Sequence, residues 1–523
     1  MAKLKVGVLI DSERLEKYKV EILSEIQKSE SCVISKFIKV DKQASVDEEN
    51  SYLLYKLFNK IDAKLFGRDI KYLGLETIDT LIDEKEPDVI INLTNFTVDY
   101  PNRVKYGLWQ FVYKSFPLGY FEVVNNEPFT EVVLQRVGNG FENGYILSSF
   151  KTATHRKSMV KNRDLVSWRS HMMIVRELEK LAKNPKNYFD DKEAILNFDL
   201  NSKNIKKKFF DFQFGFSDDR RLKPPKNCEM LKVTYKLLKK YATFSVRKFF
   251  PMDRWLILYC QNQDGKINSK FSDYKRFYAP SQNHFVADPF IVDEGEKSYL
   301  FYEELNYDNA KGYLKVAEYD ESRGVFKEGE MMLEEEYHLS YPNVFKHKDR
   351  FYMIPESFEN QSVDLYESVE FPKKWKKIKT LLSDVLAVDA TLYFYDKKWW
   401  MFVNIAQKDD FSMHDELYIY HCKDFLKDEW TPHSLNPVVC DTTSARPAGN
   451  LIKKDKKLYR PAQDCSGLYG RKIVINEVLL LNENEYKERK VSEINSQFAD
   501  DLVAVHTLNS SKKFTVIDAI KSR

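Results

Sequence analysis

Cysteine is scarce in this chain: 523 residues contain six, and no two of them form a CxxC pair. This spacing indicates neither a zinc site nor a dense disulfide framework. The apolar run near the N-terminus is short, and charged residues follow it at once, unlike the hydrophobic region of a signal peptide. We therefore expect a reduced, cytoplasmic protein.

An excess of one charge is also missing. The chain has 82 basic and 79 acidic residues, a net charge of +3, which gives no whole-chain case for nucleic-acid binding. No stretch approaches the roughly 18 apolar residues of a transmembrane helix. We expect no nucleic-acid partner and no membrane span.

Several motifs of common enzyme classes are absent as well. No GxGxxG follows the first predicted strand, and the chain has no P-loop, HExxH or GxSxG. An acidic pair such as Glu303 and Glu304 could hold a divalent cation, but the sequence assigns no metal site. The function must therefore be sought in the domain pattern.

Residues 1–185 have the pattern of an α/β domain. Buried strands are predicted at KLKVGVLID, CVISKFIKV and EPDVIINLTN. The segments TEVVLQRV and NGYILSSFK predict a hairpin, and LVSWRSHMMIVRELEKLAK predicts one helix.

Residues 186–250 mix lysine and arginine with aromatic residues. This pattern predicts a linker and a docking helix with a solvated basic face. The alternative is a surface that touches anionic lipid headgroups, at the inner membrane face, where a lipid-linked acceptor would be met.

From about Trp255 onward, short predicted strands alternate with turns, and one strand–turn–strand segment recurs five times. Successive copies start 48 to 60 residues apart. This period predicts one four-stranded blade per repeat, and so an all-β five-bladed β-propeller over residues 251–523. We expect the strand RWLILYC (254–260), which precedes the first repeat, to complete the last blade.

The hairpin ends carry polar residues. In an antiparallel hairpin, the start of the first strand and the end of the second lie together, so all ten ends meet at one mouth of the ring. The first-strand starts are Asp288, Tyr341, Asp389, Arg446 and His506, and the second-strand ends are Glu303, Glu356, Asn404, Gln463 and Asp518. Buried charges are costly unless something pairs with them, which favours a ligand site here. The alternative is that Arg446 only neutralises carboxylates in a structural network.

The chemistry of glycosyl groups needs paired carboxylates, together with polar and aromatic groups for the sugar. The candidate catalytic residues are Asp288, Glu356 and Asp389. The candidate substrate-binding residues are Glu303, Glu304, Tyr341, Asn404, Arg446, Gln463, Asp464 and His506. Candidates for stacking on a sugar face are Tyr341, Trp399, Trp400 and Tyr469.

The blade that begins ADPFIVDEGEKSYLFY resembles those of the five-bladed arabinanase, β-xylosidase and invertase glycosidases. In those families a first-blade Asp is the base or nucleophile, a second Asp tunes a pKa, and a Glu is the general acid. The resemblance implies these roles for Asp288, Asp389 and Glu356, respectively.

A closer resemblance covers the same half. The segments YPNVFKHKDRFYMIPES, VDATLYFYDKKWWMF and SARPAGNLI are similar to the propeller domain at the N-terminus of glucosamine inositolphosphorylceramide transferases. This resemblance implies a part in surface-polysaccharide assembly. The plant enzyme has a separate transferase domain, which we expect this chain to lack.

The N-terminal half resembles a folate-dependent formyltransferase with a Rossmann-type sheet, in the stretch YGLWQFVYKSFPLGYFEVVNNEPFTEVVLQRVGNGFENGYIL. Its catalytic Asn, His and Asp positions hold Gln110, Val112 and Glu142. Without the imidazole, we expect formyl transfer to be lost and folate not to bind. The domain then binds a nucleotide-like ligand or serves as a scaffold.

The first functional hypothesis is a glycosyltransferase of glycan biosynthesis that uses a nucleotide-sugar donor, with the propeller mouth as active site. In it, Arg446 holds a phosphate or carboxylate of the substrate. A glycosidase that acts on an oligosaccharide would use the same carboxylates with water. In the third hypothesis the chain is a non-catalytic glycan-binding or scaffold protein.

Overall fold

A computed structural model of the chain describes residues 3–40, 53–66, 72–74, 86–94, 104–113, 118–137, 144–190, 192–195, 225–247, 254–262, 270–406 and 412–522. The chain divides into two compact units, Met1–Ser245 and Val246–Arg523. The domain limits predicted at residues 185 and 250 stay predictions. No helix in the described ranges is long and apolar enough to cross a bilayer.

The first unit is built on a mixed seven-stranded sheet. Its strands and those of a separate pair are β1 (Leu4–Ile10), β2 (Arg14–Glu16), β3 (Cys32–Lys39), β4 (Tyr72–Gly74), β5 (Val89–Asn92), β6 (Leu108–Tyr113), β7 (Phe129–Val137), β8 (Gly144–Ala153) and β9 (Glu193–Ile195). The order is β3-β1-β5-β6-β7-β8-β9, and β2 pairs with β4. The strands from β3 to β6 run parallel and the pairs from β6 to β9 antiparallel. The predicted buried strands and the β7–β8 hairpin are confirmed.

Six helices accompany this sheet among the described residues: α1 (Lys17–Lys28), α2 (Leu53–Phe66), α3 (Tyr120–Asn125), α4 (Met159–Ser170), α5 (Met172–Lys183) and α6 (Asn227–Arg247). The single helix expected near α4 and α5 is interrupted at His171. There the Ser170 hydroxyl donates to the Val166 carbonyl, and the His171 ring contacts the Trp168 carbonyl, so side chains compete for backbone acceptors. The formyltransferase-like fold stays a prediction.

The second unit is a ring of five blades. Its strands in chain order are β10 (Arg254–Gln261), β11 (Lys275–Phe277), β12 (His284–Glu294), β13 (Lys297–Asn306), β14 (Lys311–Asp320), β15 (Val325–Phe326), β16 (Glu330–Leu333), β17 (Ser340–His347), β18 (Arg350–Glu356), β19 (Ser362–Glu370), β20 (Lys374–Ser383), β21 (Leu386–Tyr395), β22 (Lys398–Ala406), β23 (Glu416–Cys422), β24 (Thr431–Pro432), β25 (Val439–Cys440), β26 (Ile452–Lys454), β27 (Lys457–Asp464), β28 (Lys472–Leu481), β29 (Tyr486–Ile494), β30 (Leu502–Ser510) and β31 (Phe514–Lys521). Blades 1 to 4 begin at β12, β17, β21 and β26. The predicted five-bladed propeller is confirmed.

Blade 5 joins the two ends of the repeat region. Its order is β11-β10-β31-β30, and β10 pairs antiparallel with β31 along its whole length, from Arg254 opposite Lys521 to Gln261 opposite Phe514. The expectation that the strand before the first repeat completes the last blade is therefore correct. Arg276 on β11 also binds Asp501 through two hydrogen bonds of 2.6 and 2.8 Å.

The first strands of blades 1, 2 and 3 share a bulge near the ring axis. Two residues of the first strand stand opposite one residue of the second, after Ala287, Ser340 and Val388. The first bulged residues, Asp288, Tyr341 and Asp389, have φ angles of 50°, 44° and 54°. This left-handed backbone costs a residue other than glycine about 1 kcal/mol or more. Bulges of this kind change the direction of side chains, and here they turn Asp288 and Asp389 towards residues of neighbouring blades.

A layer of three asparagines ties the blades together: Asn343 and Asn509 are buried and Asn450 is half-buried. The Asn343 amide in blade 2 donates to Asn450 over 2.7 Å, and the Asn450 backbone N–H donates to the Asn509 side chain over 2.8 Å. Asn509 in blade 5 in turn donates to the Pro289 carbonyl in blade 1, over 2.8 Å. The strands approach so closely here that a Cβ on Gly449, with φ of 119°, would lie 2.1 Å from the Leu508 oxygen.

Replacement of Asn509 by Ala tests this layer. The change removes the buried side chain that pairs with the Asn450 N–H and the Pro289 carbonyl, so we expect a loss of about 2 kcal/mol in the free energy of unfolding. The measurement is urea-induced unfolding of the full chain, followed by tryptophan fluorescence. The control Asn484→Ala, at an exposed turn, should change stability by less than about 0.5 kcal/mol. Equal effects of the two changes would show that the layer does not stabilise the ring.

Candidate functional site

Seven ionisable side chains meet where the inner strands of the blades approach the axis. We call them the central cluster: Asp288, Glu303, Glu356, Asp389, Arg446, His506 and Asp518. Each is no more than 7% exposed. The carboxylates of the cluster interact electrostatically with one another and with Arg446. The structure thus brings together all three candidate catalytic residues.

Asp389 and Arg446 form an ion pair with two hydrogen bonds. Nε and Nη2 of Arg446 donate to the two Asp389 oxygens over 2.6 and 3.1 Å. Gln463 donates to Oδ2 of the same carboxylate over 2.7 Å. The left-handed φ angle at Asp389 directs this carboxylate of blade 3 towards Arg446 of blade 4.

His506 lies between two carboxylates. Its Nδ1 is 2.6 Å from Oδ1 of Asp518, and its Nε2 is 3.4 Å from Oδ1 of Asp288. Burial alone would lower the pKa of His506, but Asp518 and Asp288 together raise it. Burial likewise acts to raise the pKa of Asp518, and the His506 ring brings it below its usual value. The imidazolium and these two acids therefore stabilise each other.

The same three residues are the cluster's best candidates for a metal site, because their ligand-type atoms lie within 4.8 Å of one another. Both ring nitrogens of His506 already face a carboxylate, however. A cation would have to displace one of these contacts. The contacts of His506 with the two carboxylates form a charge network that needs no cation.

Burial raises the pKa of Asp288 and that of Glu303. The pKa of Asp288 lies well above its usual range because of burial, although His506 opposes the shift. The pKa of Glu303 is raised by burial and then by Glu356 and Asp518. The polar neighbour of Glu303 on the outer side is His338, whose Nε2 is 3.4 Å from Oε1.

Glu356 has the pKa best placed for proton transfer. Burial raises it to about 7, against the lowering effects of hydrogen bonds from the Ser340 hydroxyl and the Phe358 N–H. These donors lie 2.7 Å from the two carboxylate oxygens, one on each. At neutral pH such a group is divided between its acid and base forms, the condition that favours general acid–base catalysis.

Asn404 holds the same strand position in blade 3 as Glu303 in blade 1 and Glu356 in blade 2, since it pairs with Val388 as they pair with Ala287 and Ser340. It is fully buried, and neither polar atom of its side chain has a hydrogen-bond partner among the described residues. A buried amide without partners is rare, and a polar ligand would satisfy it.

One exposed aromatic ring borders the cluster. Tyr469 is 38% exposed, and its ring centroid is 5.1 Å from the Arg446 guanidinium carbon and 5.3 Å from the His506 ring. Trp255 also packs against His506, with ring centroids 4.1 Å apart. Of the four predicted stacking residues, Tyr469 is the exposed one.

The other three rings are structural. Trp399 and Trp400 lie in the packed cores beside β22. Tyr341 is buried, its hydroxyl accepts the Gly449 N–H over 2.6 Å and contacts the Thr391 hydroxyl, and its own N–H donates to Asp288. Tyr341 therefore positions Asp288 and is not open to a sugar face.

Glu304 and Asp464, both predicted to bind substrate, point away from the cluster, because successive side chains of a strand point to opposite faces. Glu304 faces away from Glu303 and contacts His284, Tyr313 and Lys315 at 2.6 to 2.9 Å. These partners bring its pKa below the usual value even though burial acts to raise it. Asp464 instead holds the turn at Ser466 and lies 3.6 Å from Lys472.

Three residues near the cluster were not predicted: Trp255, His338 and His414. The last lies 3.1 Å from Nη1 of Arg446. All three come from outside the repeated hairpin ends, on the closing strand or on loops. No signal in the repeat could have identified them.

The cluster as a whole is acidic, with five carboxylic acids against one arginine and one histidine. Arg446 already uses Nε and Nη2 on Asp389. From the sequence we expected Arg446 to hold a phosphate or carboxylate of the substrate. Because these two nitrogen atoms are engaged, it is poorly placed to do so. An excess of acids favours neutral or cationic ligand groups over anionic ones.

The propeller matches a known family. The model of the family described as "Glucosamine inositolphosphorylceramide transferase 1, N-terminal" matches residues 274–513. The glucosamine inositolphosphorylceramide transferase 1 of Oryza sativa subsp. japonica is 35% identical over 212 residues, which are 40% of this chain and 28% of that protein. The protein of the same name from Arabidopsis thaliana is 32% identical over 211 residues, 40% of this chain and 27% of that protein. The chain thus spans less than a third of the length of these relatives.

Solved structures similar to the propeller are glycoside hydrolases. A family 117 enzyme of Zobellia galactanivorans has a TM-score of 0.34 and 11% identity, covering 51% of this chain and 90% of that one. An arabinanase of Bacillus subtilis has a TM-score of 0.32 and 12% identity, covering 44% and 93%. At such scores these likenesses carry no argument about activity. Residues 274–513, the matched part of the propeller, are similar to the N-terminal domain of glucosamine inositolphosphorylceramide transferase 1.

Proposed function

We propose that the central cluster binds a sugar and catalyses its transfer in glycan biosynthesis. The observation that carries this proposal is the convergence of five buried acids on one arginine and one histidine. A network that served only stability would be expected to balance its charges, because uncompensated buried acids destabilise a fold. Asn404 supports the same conclusion, because its buried amide has no hydrogen-bond partner in the part of the chain that the structure describes, and the hydroxyl groups of a sugar could supply one.

The roles within the cluster follow from its contacts. Glu356 is the proton donor and acceptor, since its pKa of about 7 allows both. Asp288, held by the Tyr341 N–H and by His506, is the base or stabilising carboxylate near the reacting carbon. Asp389 is fixed by Arg446 and Gln463, and its charge acts on Glu356 from a constant position.

The charge of the cluster selects the sugar. An ammonium group would be stabilised by the raised-pKa acids Asp288 and Glu303, whereas the diphosphate of a nucleotide sugar would be repelled. The relatives are named for glucosamine, a sugar with an amino group. We therefore assign the cluster to the amino group and the reacting carbon of the sugar. The phosphate oxygen bonded to that carbon is the leaving group, and we place the diphosphate at the solvent side of the cluster, towards which it departs when the acceptor hydroxyl forms the new bond. The exposed part of Tyr469 is the aromatic surface that we assign to contact with the sugar ring.

The acceptor that best fits the relatives' printed name is a lipid-linked inositol phosphate. For the first unit, we propose a scaffold role in a formyltransferase-like domain without formyl transfer. Gln110 there accepts a hydrogen bond from Asn92 over 3.3 Å, and Val112 is buried, so neither position supplies a proton shuttle. The third position, Glu142, lies outside the described residues.

Binding of glucosamine, N-acetylglucosamine and glucose to the full chain tests the substrate class. We expect glucosamine to bind about tenfold more tightly than glucose, the effect of one charge-assisted hydrogen bond, with loss of this preference in Glu303→Gln. Calorimetry in buffers of different ionisation enthalpy should show proton release, because a bound ammonium favours the charged form of Glu303. The exposed control Glu321→Gln should keep the preference.

Incubation with inositolphosphorylceramide and a nucleoside-diphosphate glucosamine tests transfer, with the product detected by mass spectrometry. Loss of product in Glu356→Gln, by about a hundredfold or more, would support the assigned role. Release of free sugar from an aryl glucosaminide without transfer would establish the glycosidase. Sugar binding with neither reaction would establish the glycan-binding protein.

The stability of the chain should depend on pH through Glu356. Its pKa in the folded state lies above the usual value, so its stabilising contribution is complete below about pH 4.5 and is lost as the pH rises through about 7. Glu356→Gln cannot ionise. Its stability relative to the wild type should therefore improve across this window, by up to about 3 kcal/mol. Thermal unfolding at several pH values measures this, and a difference that is flat with pH would contradict it.

The pair of Asp389 and Arg446 offers a further test. Arg446→Met leaves a buried carboxylate without its cation, and we expect a loss of about 4 kcal/mol, partly restored by adding Asp389→Asn. The control Arg276→Met breaks a half-exposed pair with Asp501 and should cost about 1 kcal/mol or less. The doubly substituted chain also separates the alternatives: a purely structural network predicts unchanged sugar affinity once stability is restored.

A further inference from the structure

Two helices of the first unit carry apolar side chains on the outside. On α2, a stripe with helical spacing is between 51% and 67% exposed; it consists of Leu53, Leu57, Ile61 and Leu65. On α6, the exposed residues are Leu231, Tyr235 and Leu238, each more than 60% exposed. Isolated exposed apolar residues are ordinary, but stripes on the outer face of two helices mark an interaction surface.

The inner faces of the same helices are already packed. Met230, Val233 and Leu237 of α6 are buried in one cluster with Tyr120 and Met159. Leu54, Tyr55 and Phe58 of α2 pack against this cluster, and the Leu54 N–H donates to Asn227 at the start of α6 over 2.9 Å. The apolar stripes therefore do not belong to the core of this unit, and both helices are held by one common cluster.

Lysines accompany both stripes. On α2, Lys56, Lys60 and Lys64 each precede a stripe residue and are exposed. The acid of this helix, Asp62, is turned inward, where it accepts hydrogen bonds from the Ser158 hydroxyl and the Val160 N–H at the start of α4. On α6, the exposed lysines are Lys232, Lys236 and Lys239. The outer surface of both helices is thus apolar and cationic together, with the exposed acid Glu229 in the first turn of α6.

We propose that the outer faces of α2 and α6 bind the surface of an anionic lipid bilayer. Apolar side chains at helical spacing, flanked by lysines, are the composition of helices that lie in the headgroup region. A second copy of this chain fits less well, because its lysines would meet those of the first copy. The lipid surface supplies the opposite charge for the lysines and an apolar layer for the leucines. The proposal is independent of the chemistry in the propeller.

Vesicle flotation of the full chain tests the proposal, with phosphatidylcholine vesicles that contain or lack phosphatidylglycerol. We expect binding to the anionic vesicles, weakened by added salt because the lysine contribution is screened. The doubly substituted chains Leu57→Glu with Ile61→Glu, and Leu231→Glu with Tyr235→Glu, should each bind at least about tenfold less, since each loses two apolar contacts and gains two repelled charges.

The matched control is Val369→Glu with Leu479→Glu, which changes two exposed apolar residues of the propeller and should leave vesicle binding unchanged. Circular dichroism and the unfolding midpoint show whether each variant is folded. Absence of binding to anionic vesicles, or equal loss in the control, would overturn the proposal. So would a dimer in light scattering that the α2 and α6 substitutions dissociate, because the stripes would then meet a second copy.

Discussion

The propeller depends on one balance of charge, the contact of Asp389 with Arg446. This guanidinium is the permanent cation within a buried group of acids, and it is joined to its carboxylate by two hydrogen bonds. Around it, the remaining acids find either histidine, as Asp288 and Asp518 do, or neutral donors, as Glu356 does. Burial raises the pKa values of Asp288, Glu303 and Glu356, because one arginine cannot neutralise the charge of every neighbouring acid.

This balance is possible because the backbone is strained at the right places. Left-handed φ angles at Asp288, Tyr341 and Asp389 recur at the same position of three successive blades. The backbone N–H of Tyr341 donates a hydrogen bond to Asp288, and Asp389 accepts one from Arg446 of the next blade. A repeat made for stability alone would put glycine or asparagine at such positions. Their occupation by two acids and a tyrosine links the strain to the chemistry of the site.

The sequence predicted the repeat well, because hairpin spacing and polar ends are local patterns. It therefore located the five blades, the closing strand and most of the central cluster. It could not separate Glu303 from Glu304, or Gln463 from Asp464, because one residue of register decides which side chain faces the axis. Nor could it see that Arg446 is already occupied, or that Trp255 and His414 arrive from other segments, since these contacts exist only after the ring has closed.

The join between β10 and β31 has a consequence for how the protein is made. The strand that completes blade 5 is synthesised before blade 1, and the partner to which it binds follows blade 4. During translation one edge of β10 stays unpaired while the four other blades are synthesised. The acids of the mouth stay accessible to water until β31 pairs with β10. Ring closure and the burial of His506 with Asp518 are therefore a single late event in folding, because these two residues belong to the last two strands of the ring.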